Sequence, residues 1–303
     1  MVTRLIKQFV MVVCFISTPW LSFAQQTDND ARILLHPKGL LWKIEKSAAK
    51  PSFIYGTMHV SHKDVVNLAR PVEQAFVNAE RFAMEVLLNF QAVSVITSRS
   101  FFNDGRTLKT IMLADDFQKL AQLMSSRFSM TEDMFMHMRP WMVFTMLMMP
   151  PDELGKDTSA LDMILYRRAA LRKIPLLGLE TAAEQLDVLE GQSLDDQLWM
   201  LNKTVEDYAQ ISGQFAELLT AYIDRDLAAL VKLQQQSMDE ETDIDDRFMQ
   251  QLIDMRNVRM VERMQDYLQK GKAFIAIGAL HLPGEKGVLH LLEQQGYSVT
   301  SIY

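Results

Sequence analysis

Ser52–Val60, SFIYGTMHV, decides how the chain folds, because Phe274–Leu282, FIAIGALHL, repeats its grammar near the other end. Each stretch is a short apolar run rich in β-formers, then glycine, two small or apolar residues, and histidine. A run of that length, flanked by charged or turn-forming residues, predicts a buried strand of a largely parallel sheet. The glycine marks a place where the backbone turns or approaches something closely. The histidine then lies just past the strand's end, where side chains of open α/β sheets reach a ligand. Gly56, His59, Gly278 and His281 are therefore candidate site residues.

Two more strand-like runs end in acids. Arg81–Val86 places Glu85 among apolar residues, and Ile174–Glu180 closes on Glu180. A buried carboxylate needs a cation, a metal or a proton beside it. Glu180 is also placed to cap a helix beginning near Thr181.

Working outward, Leu40–Ile44 reads as a strand preceding the first motif, and Asp64–Ala79 as a helix with Pro71 as a kink or boundary. A strand through Glu85 follows. The middle is mostly helical, and Met130–Met149 carries eight methionines before Pro150-Pro151. Methionine suits an adaptable apolar groove as well as an irregular core. Met130, Met134, His137 and Met138 also offer soft ligands for cuprous copper. Asp239–Asp246 reads as an exposed acidic turn, Asp246–Lys270 as one long amphipathic helix closed by Gly271, and Tyr297–Tyr303 as a last strand. The expected fold is α/β: a mixed, partly parallel sheet built from both chain ends, with a large helical insertion over about 100–270.

Of 303 residues 49% are hydrophobic, ample for a sizeable core, and a net charge of -7 argues against a nucleic-acid partner. Arg4 and Lys7, the apolar Phe9–Ile16 run and Ser22-Phe23-Ala24 read as a secretory signal, residues 1–24, with the exported chain, 25–303, periplasmic or secreted. After its removal no stretch has the length of a membrane span. The single cysteine, Cys14, lies inside that leader. A cysteine nucleophile, a thiolate zinc site and a disulfide framework are thereby excluded from the exported chain.

Neutral imidazoles with a carboxylate suit a divalent ion such as manganese, cobalt or zinc, which activates water or polarises a carbonyl. His59, His281 and Glu85 are the expected ligands, with Glu85 alternatively the general base. Arg256 and Asn257 lie mid-helix, and an arginine aimed at the site would orient substrate or stabilise an oxyanion.

With those residues assembled, the chain resembles the TraB/GumN family, which includes the Tiki metalloproteases and is distantly similar to erythromycin esterases and ChaN-like haem-binding lipoproteins. The resemblance rests on Leu41-Trp42-Lys43-Ile44, Pro51–Val60, Phe82–Glu85, Leu161-Asp162, Gly178–Thr181 with Gln185, Arg256-Asn257 and Ala276–Gly284. It implies an α/β fold carrying paired Gly-x-x-His motifs and, from the Tiki branch, metal-dependent peptide cleavage at His59, Glu85 and His281. Asp162, Glu180, Asn257, Gly56 and Gly278 would stand behind the ligands or contact substrate. The expected function is an exported metal-dependent hydrolase acting on a peptide or another small extracytoplasmic substrate. The alternative is a non-catalytic periplasmic binding protein for a peptide, haem or a metal ion.

Overall fold

The computed structural model describes residues 34–46, 49–149, 160–236, 248 and 250–303. The expected leader, the acidic Asp239–Asp246 stretch and Pro150-Pro151 lie outside them. The described residues divide into two compact units, the first drawn from residues 88–149 and 182–215, the second from residues 34–87, 160–181 and 216–303.

The second unit is built on a sheet of β1 (Leu41–Glu45), β2 (Ser52–Thr57), β3 (Arg81–Val86), β4 (Leu176–Glu180), β5 (Ala273–Gly278) and β6 (Ser298–Ser301). Its order is β4-β3-β5-β2-β1-β6, so the last long strand inserts between the second and third. β4, β3, β5 and β2 run parallel, while β1 pairs antiparallel with both β2 and β6. This is the mixed, partly parallel sheet expected from both chain ends. Every residue of β5 is buried, as a strand covered on both faces must be. Phe76, Phe82 and Phe274 form the aromatic heart of this core, with ring centroids 5.3–6.4 Å apart.

Register sets the two motifs side by side: Gly56 lies opposite Ile277, and Thr57 opposite Gly278. Gly56 is required by that meeting. A Cβ there would lie 2.7 Å from Leu282 Cδ1 and 3.1 Å from the Ala279 Cα, so the second motif packs directly on the first motif's glycine. Leu282 is fully buried and has little room to retreat. Gly56→Ala is therefore expected to destabilise the protein by about 1–3 kcal/mol through overpacking. Urea denaturation measures this, and an unchanged midpoint would show that the two motifs do not press on one another.

Helix boundaries differ from the sequence reading where proline or backbone geometry intervenes. The helix read over Asp64–Ala79 is two, Lys63–Val66 and Arg70–Val77, the second opening with Pro71 in its first turn, where the missing N–H costs nothing. The long helix read from Asp246 is described as a π-turn, Gln250–Asp254, running into an α-helix, Met255–Lys270.

In the first unit the methionine stretch is not one helix. Pro140 starts a new one, Pro140–Leu147, after a short Glu132–Phe135 turn. All eight residues of Pro140–Leu147 are buried, as are Met130, Met138, Met148 and Met149. Of the two roles open to this stretch, groove lining and core, these buried methionines take the core. The copper set is divided as well, since Met130 and Met138 are buried whereas His137 is exposed.

Candidate active site

The carboxyl ends of β2, β3, β4 and β5 deliver His59, Glu85, Glu180 and His281 to one end of the sheet unit, and all four side chains are buried. Each histidine is gripped through Nδ1. The His59 Nδ1 lies 2.6 Å from Asp162 Oδ2, and the other oxygen of that carboxylate accepts the Thr57 hydroxyl at 2.7 Å. Asp162 sits in the first turn of the Leu161–Leu171 helix, tied to the loop after His59 by the Leu161 N–H donating to the Val60 carbonyl. The His281 Nδ1 lies 2.6 Å from Asn257 Oδ1. Asn257 Nδ2 donates to the Lys286 carbonyl at 2.8 Å, which fixes the amide's orientation and leaves Oδ1 as the acceptor.

Both rings therefore carry their proton on Nδ1, and in the neutral form each presents a lone pair on Nε2. Metal-ligating histidines are held in this way, with the outer nitrogen fixed by a carboxylate or carbonyl.

Glu85 stands between them electrostatically. Its Oε1 accepts the Gly278 N–H at 2.7 Å and lies 3.9 Å from His281 Nε2, while Oε2 takes the Arg256 guanidinium at 2.5 Å. Gly278 permits that approach, since a Cβ would sit 3.2 Å from Oε1. Arg256 has all three nitrogens engaged: with Glu85, with Glu180 at 2.9 Å through Nε, and with the Leu252 carbonyl at 3.1 Å. That carbonyl belongs to the π-turn. Arg256, expected to orient substrate, is thus a buried brace for two carboxylates. Glu180 is held by Arg256 and by Arg259 at 3.3 Å. Asp162, Asn257, Gly56 and Gly278 each touch a histidine, Glu85 or the opposite motif. Thr57 belongs to the first Gly-x-x-His motif, whereas no local signal in the sequence marks Arg259.

Protonation follows from these contacts. Burial opposes the Glu85 charge, but Arg256, His281, His59 and the Gly278 N–H outweigh it and hold the carboxyl at about 2. Burial, with Arg256 and His59 nearby, pushes His281 down to about 3 against the pull of Glu85. Burial also works against charge on His59, yet the Asp162 carboxylate wins and raises its pKa.

The signs predict a stability profile for the chelator-treated protein. His281 binds a proton more readily when unfolded, so stability falls as pH drops from about 6.5 towards 3; Glu85 adds to the fall from about 4.5 towards 2. The His59 contribution is full below about 6.5 and is lost as pH rises through its raised value. Unfolding free energy is expected to peak near pH 6.5, with His281→Gln flattening the acid limb above pH 4.5 and His59→Gln the alkaline one. Urea titrations across pH check this, and an acid limb unchanged in His281→Gln would refute it.

Among the described residues no group of three His, Cys, Asp or Glu side chains is placed to hold a metal ion. The donor set nevertheless fits a divalent cation in kind: two Nδ1-anchored imidazoles and an ionised carboxylate within 3.9 Å of one of them.

The sequence model described as the TraB/PrgY/gumN family matches residues 40–301. The chain belongs to the TraB/PrgY/gumN family. Metalloprotease TIKI2 of Danio rerio is 25% identical over 318 residues, covering 86% of this chain and 60% of that protein. Metalloprotease TIKI1 of Xenopus tropicalis is 25% identical over 312 residues, with the same 86% and 60% coverage. Metalloprotease TIKI1 of Homo sapiens is 24% identical over 313 residues, covering 86% and 61%. This TraB/PrgY/gumN chain spans about 60% of the length of the curated relatives it matches. No solved structure matches it. Among the described residues, no helix is long and apolar enough to cross a membrane.

Proposed function

We propose that this chain is an exported, metal-dependent hydrolase of peptides, in which His59, His281 and Glu85 hold a divalent manganese, cobalt or zinc ion. One observation carries the reading: two histidines from opposite chain ends are buried at one sheet end, each with Nδ1 anchored and each coupled to Glu85. The similarity to proteins named metalloproteases supports peptidase chemistry. When bound, the ion would supply a polarised carbonyl or an activated water.

The chain's own residues define the rest. Asp162 and Asn257 orient the rings, and Arg256 with the Gly278 N–H keeps Glu85 ionised and in place. A carboxylate held at about 2 is a poor general base at neutral pH, which favours the ligand role for Glu85. Arg256 contributes by positioning Glu85 and Glu180.

The test is cleavage of a peptide library by the purified chain with manganese or cobalt, with and without chelator. Cleavage is expected to depend on the ion and to disappear in His59→Ala and His281→Ala. Cleavage that survives chelation and both substitutions would end the proposal. A second reading, a binding protein without turnover, draws on the engagement of both Glu85 oxygens by Arg256 and Gly278. Cobalt uptake that needs both histidines, without cleavage of any peptide, would decide for it.

A further inference from the structure

The phenols of Tyr55 and Tyr222 have no role in the reading above. Tyr222, near the end of the Leu194–Ile223 helix, is buried, with its hydroxyl 2.9 Å from the Gly56 carbonyl and 3.3 Å from the Tyr55 hydroxyl. A carbonyl only accepts, so the single Tyr222 proton goes to Gly56, and Tyr55 donates to the Tyr222 oxygen. Burial raises the pKa of Tyr55 to about 12 and that of Tyr222 well above 10, so both donors keep their protons.

Gly56 needs this donor because its place in the sheet is irregular. The β1–β2 register continues to Leu40 opposite Gly56, and the Gly56 N–H donates to the Leu40 carbonyl. In an ordinary antiparallel rung the Leu40 N–H would return the bond. Here it donates to the Tyr303 carbonyl instead. A buried carbonyl left without a donor costs about 1–3 kcal/mol. The peptide so pinned leads into Thr57, whose hydroxyl braces Asp162, the residue that grips His59.

We infer that Tyr222 is a positioning residue of the histidine site: its hydroxyl, oriented by Tyr55, fixes the Gly56–Thr57 peptide from which Thr57 braces Asp162 and Asp162 aims His59. The inference deepens the proposed function by adding a brace to one of its ligands, and its geometry stands apart from the metal. A merely structural Tyr222 would satisfy the carbonyl and support the whole unit evenly. A positioning Tyr222 acts on His59 and leaves His281, held by Asn257, untouched.

The experiment is nitrogen-15 NMR of the full, chelator-treated chain labelled at histidine, following solvent exchange of the two Nδ1–H protons. Tyr222→Phe keeps the ring and removes only the hydroxyl. Exchange at His59 is expected to quicken at least tenfold, with His281 unchanged. Thr57→Val should do the same, Thr57→Ser should retain the native rate, and the Tyr222→Phe/Thr57→Val pair should exchange no faster than Thr57→Val alone. Should Tyr222→Phe not fold, Tyr55→Phe tests the same line, with a smaller acceleration confined to His59. Native exchange at His59 in these variants, equal acceleration at both histidines, or no protected His59 proton in the native chain would each overturn the inference. A parallel titration with cobalt ion is expected to show about tenfold weaker binding in Tyr222→Phe. If the native chain takes up no cobalt, the metal reading falls, and the exchange result still decides the role of Tyr222.

Discussion

Arg256→Ala is expected to unfold at a much lower urea concentration than the native chain, with a loss of roughly 3–5 kcal/mol. The guanidinium is buried and lies 2.5 Å from Glu85 and 2.8 Å from Glu180, both buried as well. Its removal leaves two carboxylates facing one another in a medium that solvates them poorly. Arg259 still reaches Glu180, at 3.3 Å. For a chain of this size the melting temperature should fall by about 10 °C, taking about 2–4 °C per kcal/mol. Glu85→Gln and Glu180→Gln added to Arg256→Ala should recover much of the loss, because neutralising stranded charges removes the penalty that breaking the pair created. A loss under about 1 kcal/mol in Arg256→Ala would show that water reaches these acids.

Asp162→Asn is expected to weaken binding of cobalt ion about 10–100-fold, the range for partners that hold a ligand from behind. The substitution is nearly isosteric, so its effect is chemical. The carboxylate accepts from Thr57 through one oxygen and from His59 Nδ1 through the other, at 2.7 and 2.6 Å. An amide has one oxygen, and its NH2 cannot accept from Nδ1–H. With the amide oxygen on Thr57, the His59 ring must move its proton to Nε2, the nitrogen meant for the ion. Cobalt titration followed by visible absorption gives the affinity, and histidine nitrogen shifts report the tautomer. Native affinity in an Asp162→Asn protein whose His59 proton has moved to Nε2 would mean that His59 is not a ligand.

Much of this site was legible before any coordinates. Glycine followed three residues later by histidine, twice, each after a β-forming run, has a local cause, since the strand, its end and the small residue there are properties of a few consecutive amino acids. Acids closing apolar runs, Glu85 and Glu180, announced buried charge in need of a cation. Less could be read of how those needs are met. Arg256 stood out only as a mid-helix arginine, and nothing local says whether such a side chain faces substrate or two carboxylates. The composition of the methionine stretch suits groove and core alike, and only the packing around the helix that Pro140 starts distinguishes the two.

Consecutive residues determined the strands, the glycines at their ends and the two histidines that follow, because backbone preference and apolar periodicity act over a few positions. Tertiary structure alone decided that Gly56 lies opposite Ile277, that Asp162 and Asn257 take the Nδ1 protons, and that Tyr222 meets the Gly56 carbonyl. Those outcomes follow from strand register and from buried polar groups taking the nearest complementary partner. Both depend on how the chain packs in space, where residues far apart in sequence become neighbours.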